Sequence, residues 1–520
     1  MPLAVKNGQA AGRSDEEASP STHILTRLAP GPPHPVVHPR PPRASHAVTE
    51  ARGTVLPAPC TPAPCGKRVV GRSDLRRFVP SAAGRPRVAR VVTVVDGGAR
   101  ARGRLRRGGP WLVLALCALS FTGCALAQLA LGLPLGDLDV YRAEGWAVRT
   151  GEDLYDLAVS RHALQATYPP FAALLFVPLT LLGVEAMRVL VCVLNFGLVI
   201  VLAQLSLRLT GIRPGGHWRW VAPLAVAAVA VWSEPVWATV RYGQINLLLA
   251  VLVLWDLTRP APHRFAGVAT GIAIGIKLTP AIFAVLCTVA GVLACLRGRD
   301  AALLRLAVRA WAAFAGTLAL GALVLPAESW RYWTDLVLAE DRVGAPEASA
   351  NQSLRGVLAR MLHTGELPVW WLPLAAGVCC AGLAVAVAAL LTGRRAWAVV
   401  ACAVTALLVS PVSWSHHWVW AVPAVLLLVA EARGRRRGAR GWWLAAGGAT
   451  LLFCSYVSWL LPHDETRPEL DLPPGQQLLA AGYPLAGLAL LATAAAVAIT
   501  APRGTPAAGA ARRPAGSSAR

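Results

Sequence analysis

Six short polar motifs interrupt the apolar stretches of this chain, and they contain the residue types that perform acid–base and anion-binding chemistry. A carboxylate such as Asp137 or Asp139 can accept a proton, whereas Lys277 and the pair His416 and His417 can stabilise an anion. Charged groups within apolar segments are costly, so they are the first candidates for a functional site. In chain order the motifs are GDLDVY (136–141), TYPPF (167–171), RYGQIN (241–246), GIKLTP (275–280), NQSLRG (351–356) and SPVSWSHHWVW (410–420).

The composition is that of a membrane protein. Of the 520 residues, 55% are hydrophobic and 15% are charged, whereas a soluble domain has about 25% charged residues. Runs of about 20 apolar residues have the length of a bilayer-spanning helix, and with shorter runs they predict an all-α polytopic bundle of about 12 transmembrane helices. The clearest runs are 111–134, 187–207, 219–239, 304–326, 369–392, 396–412, 441–460 and 477–500, and the shorter ones are 243–258, 265–276, 278–296 and 418–430. Segment 169–184 is short and opens with two prolines, which predicts a re-entrant or juxtamembrane helix.

The charged loops predict an orientation. Arg-rich loops alternate along the chain with loops that contain many of its acidic residues, and basic loops face the cytoplasm. All six polar motifs then lie at the extracytoplasmic face of the plasma membrane. Much of the net charge of +23 belongs to cytoplasmic loops beside anionic membrane lipids and to the N-terminal segment, so no nucleic-acid partner is expected.

The two ends of the chain lie outside the membrane part. Residues 1–110 contain 19 Lys and Arg against 6 Asp and Glu, and no Trp. This Pro-rich, basic composition predicts a disordered cytoplasmic tail. Residues 501–520 predict a second disordered basic cytoplasmic tail, so that the transmembrane domain is expected at 111–500.

In their order, the motifs resemble those of the polyprenol-phosphate-mannose-dependent mannosyltransferases. These enzymes form glycosyltransferase family 87, which belongs to the GT-C superfamily. The family is common in actinobacteria. The resemblance covers about residues 110–500, and this chain departs from it at Ser415, where the family usually has Asp in SWDHHW.

The resemblance implies a GT-C-like bundle with an extracytoplasmic active-site cavity. The implied activity is transfer of a hexose, expected to be mannose, from a polyprenyl-phosphate carrier to a hydroxyl of a glycolipid, lipoglycan or other glycan of the cell envelope. An α-(1→2) linkage formed with inversion is likewise implied by the resemblance.

Inverting transfer requires a base for the incoming hydroxyl. In the family, the outer-loop aspartate is followed by Leu, then by a variable residue, and then by Val-Tyr. This spacing makes Asp137 the expected general base. Asp139 takes the variable position and is the second choice. Either residue could instead cap the helix that follows. The two also spell a DxD pattern that could hold a hard cation. The resembled family commonly uses no metal with a lipid monophosphate donor, so neither a metal nor a cofactor is expected.

The departing phosphate requires positive charge or hydrogen-bond donors. His416 and His417 are the leading candidates to bind the donor phosphate, followed by Lys277 and Arg241. Alternatively, the two histidines belong to an interfacial belt with neighbouring Trp residues, and Lys277 reaches for the membrane interface. Further polar side chains could bind the sugar or the acceptor, namely Tyr141, Tyr168, Gln244, Asn246, Asn351 and Gln352.

Two other classes of protein fit parts of this pattern. A transporter or flippase of a lipid-linked sugar would show two related halves with broken helices at matching positions. Segments 169–184 and 265–280 look broken, but the sequence shows no convincing internal repeat. The second alternative is a non-catalytic subunit of an envelope-assembly complex. The concentration of polar motifs on one face favours the enzyme.

Overall fold

The computed structural model describes residues 97–132, 135–159, 164–259, 263–464 and 466–500, with the backbone alone for 97–108, 340 and 341. Within these ranges the fold is helical, and the extended pairings are the isolated bridges Val159–Leu164 and Asn351–Trp414. The predicted all-α membrane fold is confirmed. Its α-helices are α1 (Gly97–Ala130), α2 (Gly136–Thr150), α3 (Pro170–Phe176), α4 (Val184–Leu209), α5 (Trp218–Ala230), α6 (Glu234–Tyr242), α7 (Asn246–Thr258), α8 (Val268–Ile276), α9 (Ala281–Leu296), α10 (Ala302–Val324), α11 (Pro326–Arg331), α12 (Leu354–Met361), α13 (Trp371–Leu391), α14 (Arg395–Val409), α15 (Ala421–Gly434), α16 (Ala439–Cys454), α17 (Pro474–Ala480) and α18 (Gly482–Ile499).

Five helical segments of the described chain are long and apolar enough to cross a membrane unbroken. They are Gly109–Ala130 within α1, together with α4, α10, α13 and α18. Shorter apolar helices accompany them, including α7, α9 and α14. The total of about 12 crossings stays a prediction, because these shorter helices fall below the about 20 residues of a straight span.

The predicted run 219–239 is a bent pair and not one straight helix. α5 ends at Ala230 and α6 begins at Glu234, with an angle of 81° between them. Pro235 lies in the first turn of α6, where a missing backbone N–H is tolerated, and in a continuous helix its ring would clash with the carbonyl four residues earlier. Apolar composition alone did not reveal this break.

The other predicted boundaries differ less. α1 begins at Gly97, ahead of the predicted start at 111, while residues 1–96 and 501–520 lie outside the described part. Segment 169–184 forms α3 and a 3₁₀ helix, Val177–Leu181. These two elements together are shorter than a straight span, and a re-entrant or juxtamembrane placement stays a prediction.

Three glycines allow α8 to pack closely against α10. A Cβ atom added at Gly267 or Gly271 would overlap the α10 backbone, and one at Gly275 would overlap the side chain of Thr317. Small residues at four-residue spacing permit such close approach of membrane helices. The contact fixes the end of α8, where the next residue is Lys277.

Candidate functional site

The start of α2 is packed directly against the turn that follows α6. The N–H of Leu135 donates to the carbonyl of Arg241 at 3.3 Å. Gly243 has φ +70°, and a Cβ atom there would lie 2.6 Å from the Cβ of Leu138. Glycine therefore satisfies both the left-handed backbone and the lack of space. The contact joins GDLDVY to RYGQIN and brings Gln244 to Asp137, to which its side chain is hydrogen-bonded.

Asp137 does not occupy the capping position of α2. The N-cap residue is Leu135, in a left-handed conformation and without a side-chain cap hydrogen bond. Helix capping therefore does not account for Asp137. The helix also begins at Gly136, earlier than the expected start near Asp139.

The hydroxyls of two buried tyrosines and the side-chain amide of Asn246 all donate to one acceptor, the Oε1 atom of Gln244. The hydroxyls of Tyr141 and Tyr168 lie 2.9 Å apart, and that of Tyr141 donates to Oε1 of Gln244 at 3.0 Å. Asn246 Nδ2 donates to the same oxygen at 3.3 Å. Hydrogen bonds between buried polar groups of this kind fix side-chain orientation. The network thus links α2, the loop before α3 and the start of α7.

Lys277 extends this network towards the histidines. Its Nζ donates to the Tyr168 hydroxyl at 3.3 Å and lies 3.1 Å from Nε2 of His417. It is also close enough to Asp137 for its charge to favour the ionised carboxylate. A carboxylate, an amine and an imidazole are therefore assembled in one place.

Opposing effects act on Asp137, which lies on the non-spanning helix α2. Burial raises the pKa of its carboxyl above the ordinary value, while the Gln244 hydrogen bond and the Lys277 charge lower it. Burial is the largest of these effects. A raised pKa brings a carboxylate closer to what a general base needs at neutral pH.

Asp139 has a different partner from Asp137. Its Oδ2 lies 3.6 Å from a guanidinium nitrogen of Arg188, and each of these side chains is 33% exposed. Residues two apart on an α-helix point in nearly opposite directions. The two carboxylates of the DLD sequence are therefore divided between two environments.

The segment with the two histidines is a 3₁₀ helix, Ser415–Trp420, held by the rest of the bundle. The Ser415 N–H donates to the carbonyl of Ala350 at 2.8 Å, and its hydroxyl donates to Glu234 at 2.7 Å. Thr239 Oγ1 donates to the carbonyl of His416 at 3.3 Å. These bonds fix where both imidazoles lie.

Tyr242 contacts both His416 and Arg241. The rings of Tyr242 and His416 are 5.8 Å apart in an edge-on arrangement, and Arg241 hydrogen-bonds to Tyr242. Within the described residues, Nε2 of His416 and one buried Nη of Arg241 have no hydrogen-bond partner. His416 is only 7% exposed. This position favours a role in the site over one in an interfacial belt.

Sequence reasoning missed Glu234. This fully buried carboxylate accepts hydrogen bonds from Ser415, from the Trp459 indole at 2.8 Å and from the Tyr483 hydroxyl at 3.0 Å. A carboxylate within the apolar run 219–239 carries the same signal that drew attention to Lys277. Glu234 lies behind the histidine segment and positions it.

Asn351 and Gln352 are anchored beside Ser413, two residues before the histidine segment. Asn351 Oδ1 accepts from the N–H of Ser413 at 2.9 Å, and its Nδ2 donates to the carbonyl of Pro346 at 2.8 Å. Gln352 Nε2 donates to the carbonyl of Ala480 at 2.8 Å. These bonds give both residues a structural role, and contact of either with sugar stays a prediction.

The cavity beside His417 is small. About 50 Å³ is enclosed between α7, α9, α14 and the histidine segment, with Asn246 and Thr279 also on its wall. That is room for very few water molecules. A cavity that seats a sugar over Asp137 therefore stays a prediction from the resemblance.

A carboxylate and an amine placed together inside an apolar helical bundle fit an enzyme that works at a membrane. Residues 166–411 match Glycosyltransferase family 87. The chain also matches two curated relatives over most of the relatives' own length. The chain belongs to glycosyltransferase family 87 and is a glycosyltransferase, as the motifs predict.

The relatives are mycobacterial. The chain is 34% identical over 385 residues, 70% of its own length and 86% of the relative, to a polyprenol-phosphate-mannose-dependent alpha-(1-2)-phosphatidylinositol mannoside mannosyltransferase of Mycobacterium tuberculosis. It is 34% identical over 393 residues, 69% of its length and 84% of the relative, to the corresponding phosphatidylinositol pentamannoside mannosyltransferase of Mycolicibacterium smegmatis. Neither the transporter nor the non-catalytic subunit is favoured by these matches.

Proposed function

We propose that this enzyme transfers mannose from a polyprenyl-phosphate-mannose donor to a hydroxyl of a phosphatidylinositol mannoside or related lipoglycan. The observation that carries the proposal is that Asp137 is hydrogen-bonded to Gln244 and lies within reach of the Lys277 charge, which combines a proton acceptor with a cation. The relatives are named for the same donor class and for an α-(1→2) linkage. No metal enters the proposed reaction.

In the proposed reaction, Asp137 accepts the proton of the acceptor hydroxyl as its oxygen attacks the anomeric carbon. The bond from that carbon to the phosphate oxygen breaks, and the phosphate leaves with the bonding electron pair. Attack from the face opposite the phosphate inverts the anomeric configuration. Lys277 and His417 stabilise the departing phosphate, because cations and N–H donors aimed at developing charge lower the barrier. Among the described residues, one Nη of Arg241 and Nε2 of His416 have no hydrogen-bond partner, and we assign both side chains to the same phosphate.

The proposed sugar contacts come from the network around Gln244. Tyr141, Tyr168 and Asn246 converge on its carbonyl oxygen, so a hydroxyl that enters there meets both donors and acceptors. A donor with a polyprenyl chain partitions into the bilayer, which explains why the site belongs to a bundle of apolar helices.

We place the site at the extracytoplasmic face and both termini in the cytoplasm. The basis is the concentration of Arg in the loop that joins the end of α7 to the start of α8. This loop lies at the end of both helices that is opposite to the candidate site. Alkaline phosphatase fused within loop 362–369 should be active, and a fusion within loop 435–438 should be inactive. The reverse pattern would invert the orientation.

The test of the activity is transfer of radiolabelled mannose. Membranes that contain the full-length protein are supplied with polyprenyl-phosphate-mannose and a phosphatidylinositol mannoside, and lipid products are separated. A more mannosylated product is expected from the wild type and none from Asp137→Asn. No transfer to any lipid, oligosaccharide or glycan acceptor by a folded wild-type protein would defeat the proposal.

A further inference from the structure

A second, larger cavity lies at the other end of the bundle. It encloses about 420 Å³ between the last turn of α7, the start of α10 and the start of α14, with α9 at its base. The candidate active site lies at the first residue of α7, Asn246, and just after the end of α8, at Lys277. The two cavities are thus at opposite ends of the same helices.

The rim of this cavity is strongly basic. Of its five arginines, Arg305 alone forms a carboxylate ion pair among the described residues, with Asp300 at 2.8 Å. Arg309 donates to the carbonyl of His263 at 3.2 Å, and Arg395 donates to that of Leu257 at 3.4 Å. Backbone carbonyls orient these guanidinium groups without neutralising them. The remaining two are Arg259 and Arg264.

One acidic side chain lies on the wall, and one of its two carboxylate oxygens is engaged. Asp256 is 3% exposed, and its Oδ2 accepts from the N–H and the hydroxyl of Thr270, at 2.8 and 3.0 Å. It therefore holds the first turn of α8 against α7. One carboxylate against five arginines leaves the cavity with a net positive charge.

The interior of the cavity is apolar, and its edge carries aromatic rings. The guanidinium groups of Arg259 and Arg264 each lie 4.6 Å from a ring centroid, of Trp255 and of Phe265. These rings are 42% and 52% exposed. Arginine next to an exposed aromatic ring is typical of the membrane–water boundary. The apolar lining includes Leu257, Leu286, Cys287, Leu303, Leu306 and Leu390.

We infer that this cavity binds the head group of an anionic phospholipid in the leaflet opposite the active site. The arginines contact the phosphate, and the start of an acyl chain covers the leucines. A phosphate oxygen accepts strong hydrogen bonds from guanidinium groups, and basic pockets between membrane helices at the cytoplasmic side suit anionic head groups. A soluble anion would leave the apolar interior uncovered.

The test counts lipid on the purified full-length protein by native mass spectrometry. Phosphatidylglycerol and phosphatidylcholine with identical acyl chains are added in equal amount. Phosphatidylglycerol should be retained at least fivefold more, and Arg264→Gln with Arg309→Gln should remove most of this preference. The matched control replaces Arg436 and Arg437, which are exposed in the loop after α15 and lie off the cavity wall. Equal retention of both lipids, or equal loss in the control, would refute the inference.

Three further measurements separate lipid binding from other effects. Arg264 contacts only the Phe265 ring among the described interactions, so Arg264→Gln alone should fold normally and still lose at least half of the preference. Glycerol 3-phosphate should not displace the lipid, and full displacement at equal concentration would indicate a soluble-anion site instead. Asp137→Asn should bind phosphatidylglycerol as the wild type does, whatever the outcome of the mannose-transfer assay.

Discussion

Nζ of Lys277 lies 3.1 Å from Nε2 of His417. An ammonium group has donors and no acceptor, so the imidazole nitrogen that faces it accepts the bond. With Lys277 charged, His417 is neutral and carries its proton on Nδ1. The positive charge of this pair therefore resides on Lys277.

The two aspartates of α2 should respond differently to removal of charge. Asp137→Asn should lower kcat/KM by about 1000-fold, within the range that a general base contributes. Asp139→Asn is the matched control, because its partly exposed ion pair with Arg188 contributes at most about 1 kcal/mol. Mannose transfer at constant protein level measures both. Activity kept in Asp137→Asn and lost in Asp139→Asn would assign the base to Asp139.

Replacement of Lys277 should change the pH dependence as well as the rate. The base must be ionised, so activity falls as pH drops through the pKa of Asp137. The Lys277 charge lowers that pKa, and Lys277→Met should therefore move the acid limb of kcat/KM to higher pH. Lys277→Arg keeps the charge and should leave the limb near its wild-type position. An acid limb that stays unchanged in Lys277→Met would show that this charge does not act on the base.

The two histidines should differ in their effect on donor binding. His417→Ala removes the partner of Lys277 and should raise KM for the polyprenyl-phosphate sugar by about tenfold, as expected for a hydrogen bond to a charged group. His416→Ala should be tolerated better, because its ring packs edge-on against Tyr242 and the described hydrogen bond to Lys277 is made by His417. Equal and mild effects in titrations of donor concentration would favour the aromatic-belt alternative.

Gly243→Ala should impair both folding and transfer. A left-handed backbone costs a non-glycine residue about 1–2 kcal/mol, and the added methyl would collide with Leu138. Thermal unfolding in detergent should show a lower Tm, and activity should fall because Gln244 follows directly. Gly183→Ala is the control, since its φ is −62° and nothing lies within 4 Å of the added atom. The same Tm in both variants would contradict this account.

Glu234 and Ser415 should show coupled stabilities. Ser415→Asp introduces the residue that the family usually has, but it sets a second carboxylate against Glu234 and should destabilise the protein by about 1–3 kcal/mol. Glu234→Gln removes one of the two charges, so the double variant should be more stable than the sum of the single changes predicts. Additive effects on unfolding would indicate that the two side chains do not interact.

The sequence alone determined the kind of protein. Length and apolarity of the runs required helices in a bilayer, because no other open segment satisfies its backbone in lipid. The rarity of polar groups inside such runs made Lys277, His416 and His417 visible as candidates, and the match of GDLDVY to the family motif pointed to Asp137. The order of the motifs carried the family, since each motif is a local pattern that survives without knowledge of the fold.

Tertiary structure alone decided which candidates meet. Asp137 and Asp139 are near neighbours in sequence, yet one contacts Gln244 and the other Arg188. Asn351 is engaged by backbone groups of the histidine segment. The break before Glu234 was also invisible in the apolar pattern. Periodicity and composition report the environment of a segment, whereas these contacts depend on crossings of helices far apart in the chain, set by close approaches such as that of Gly243 to Leu138.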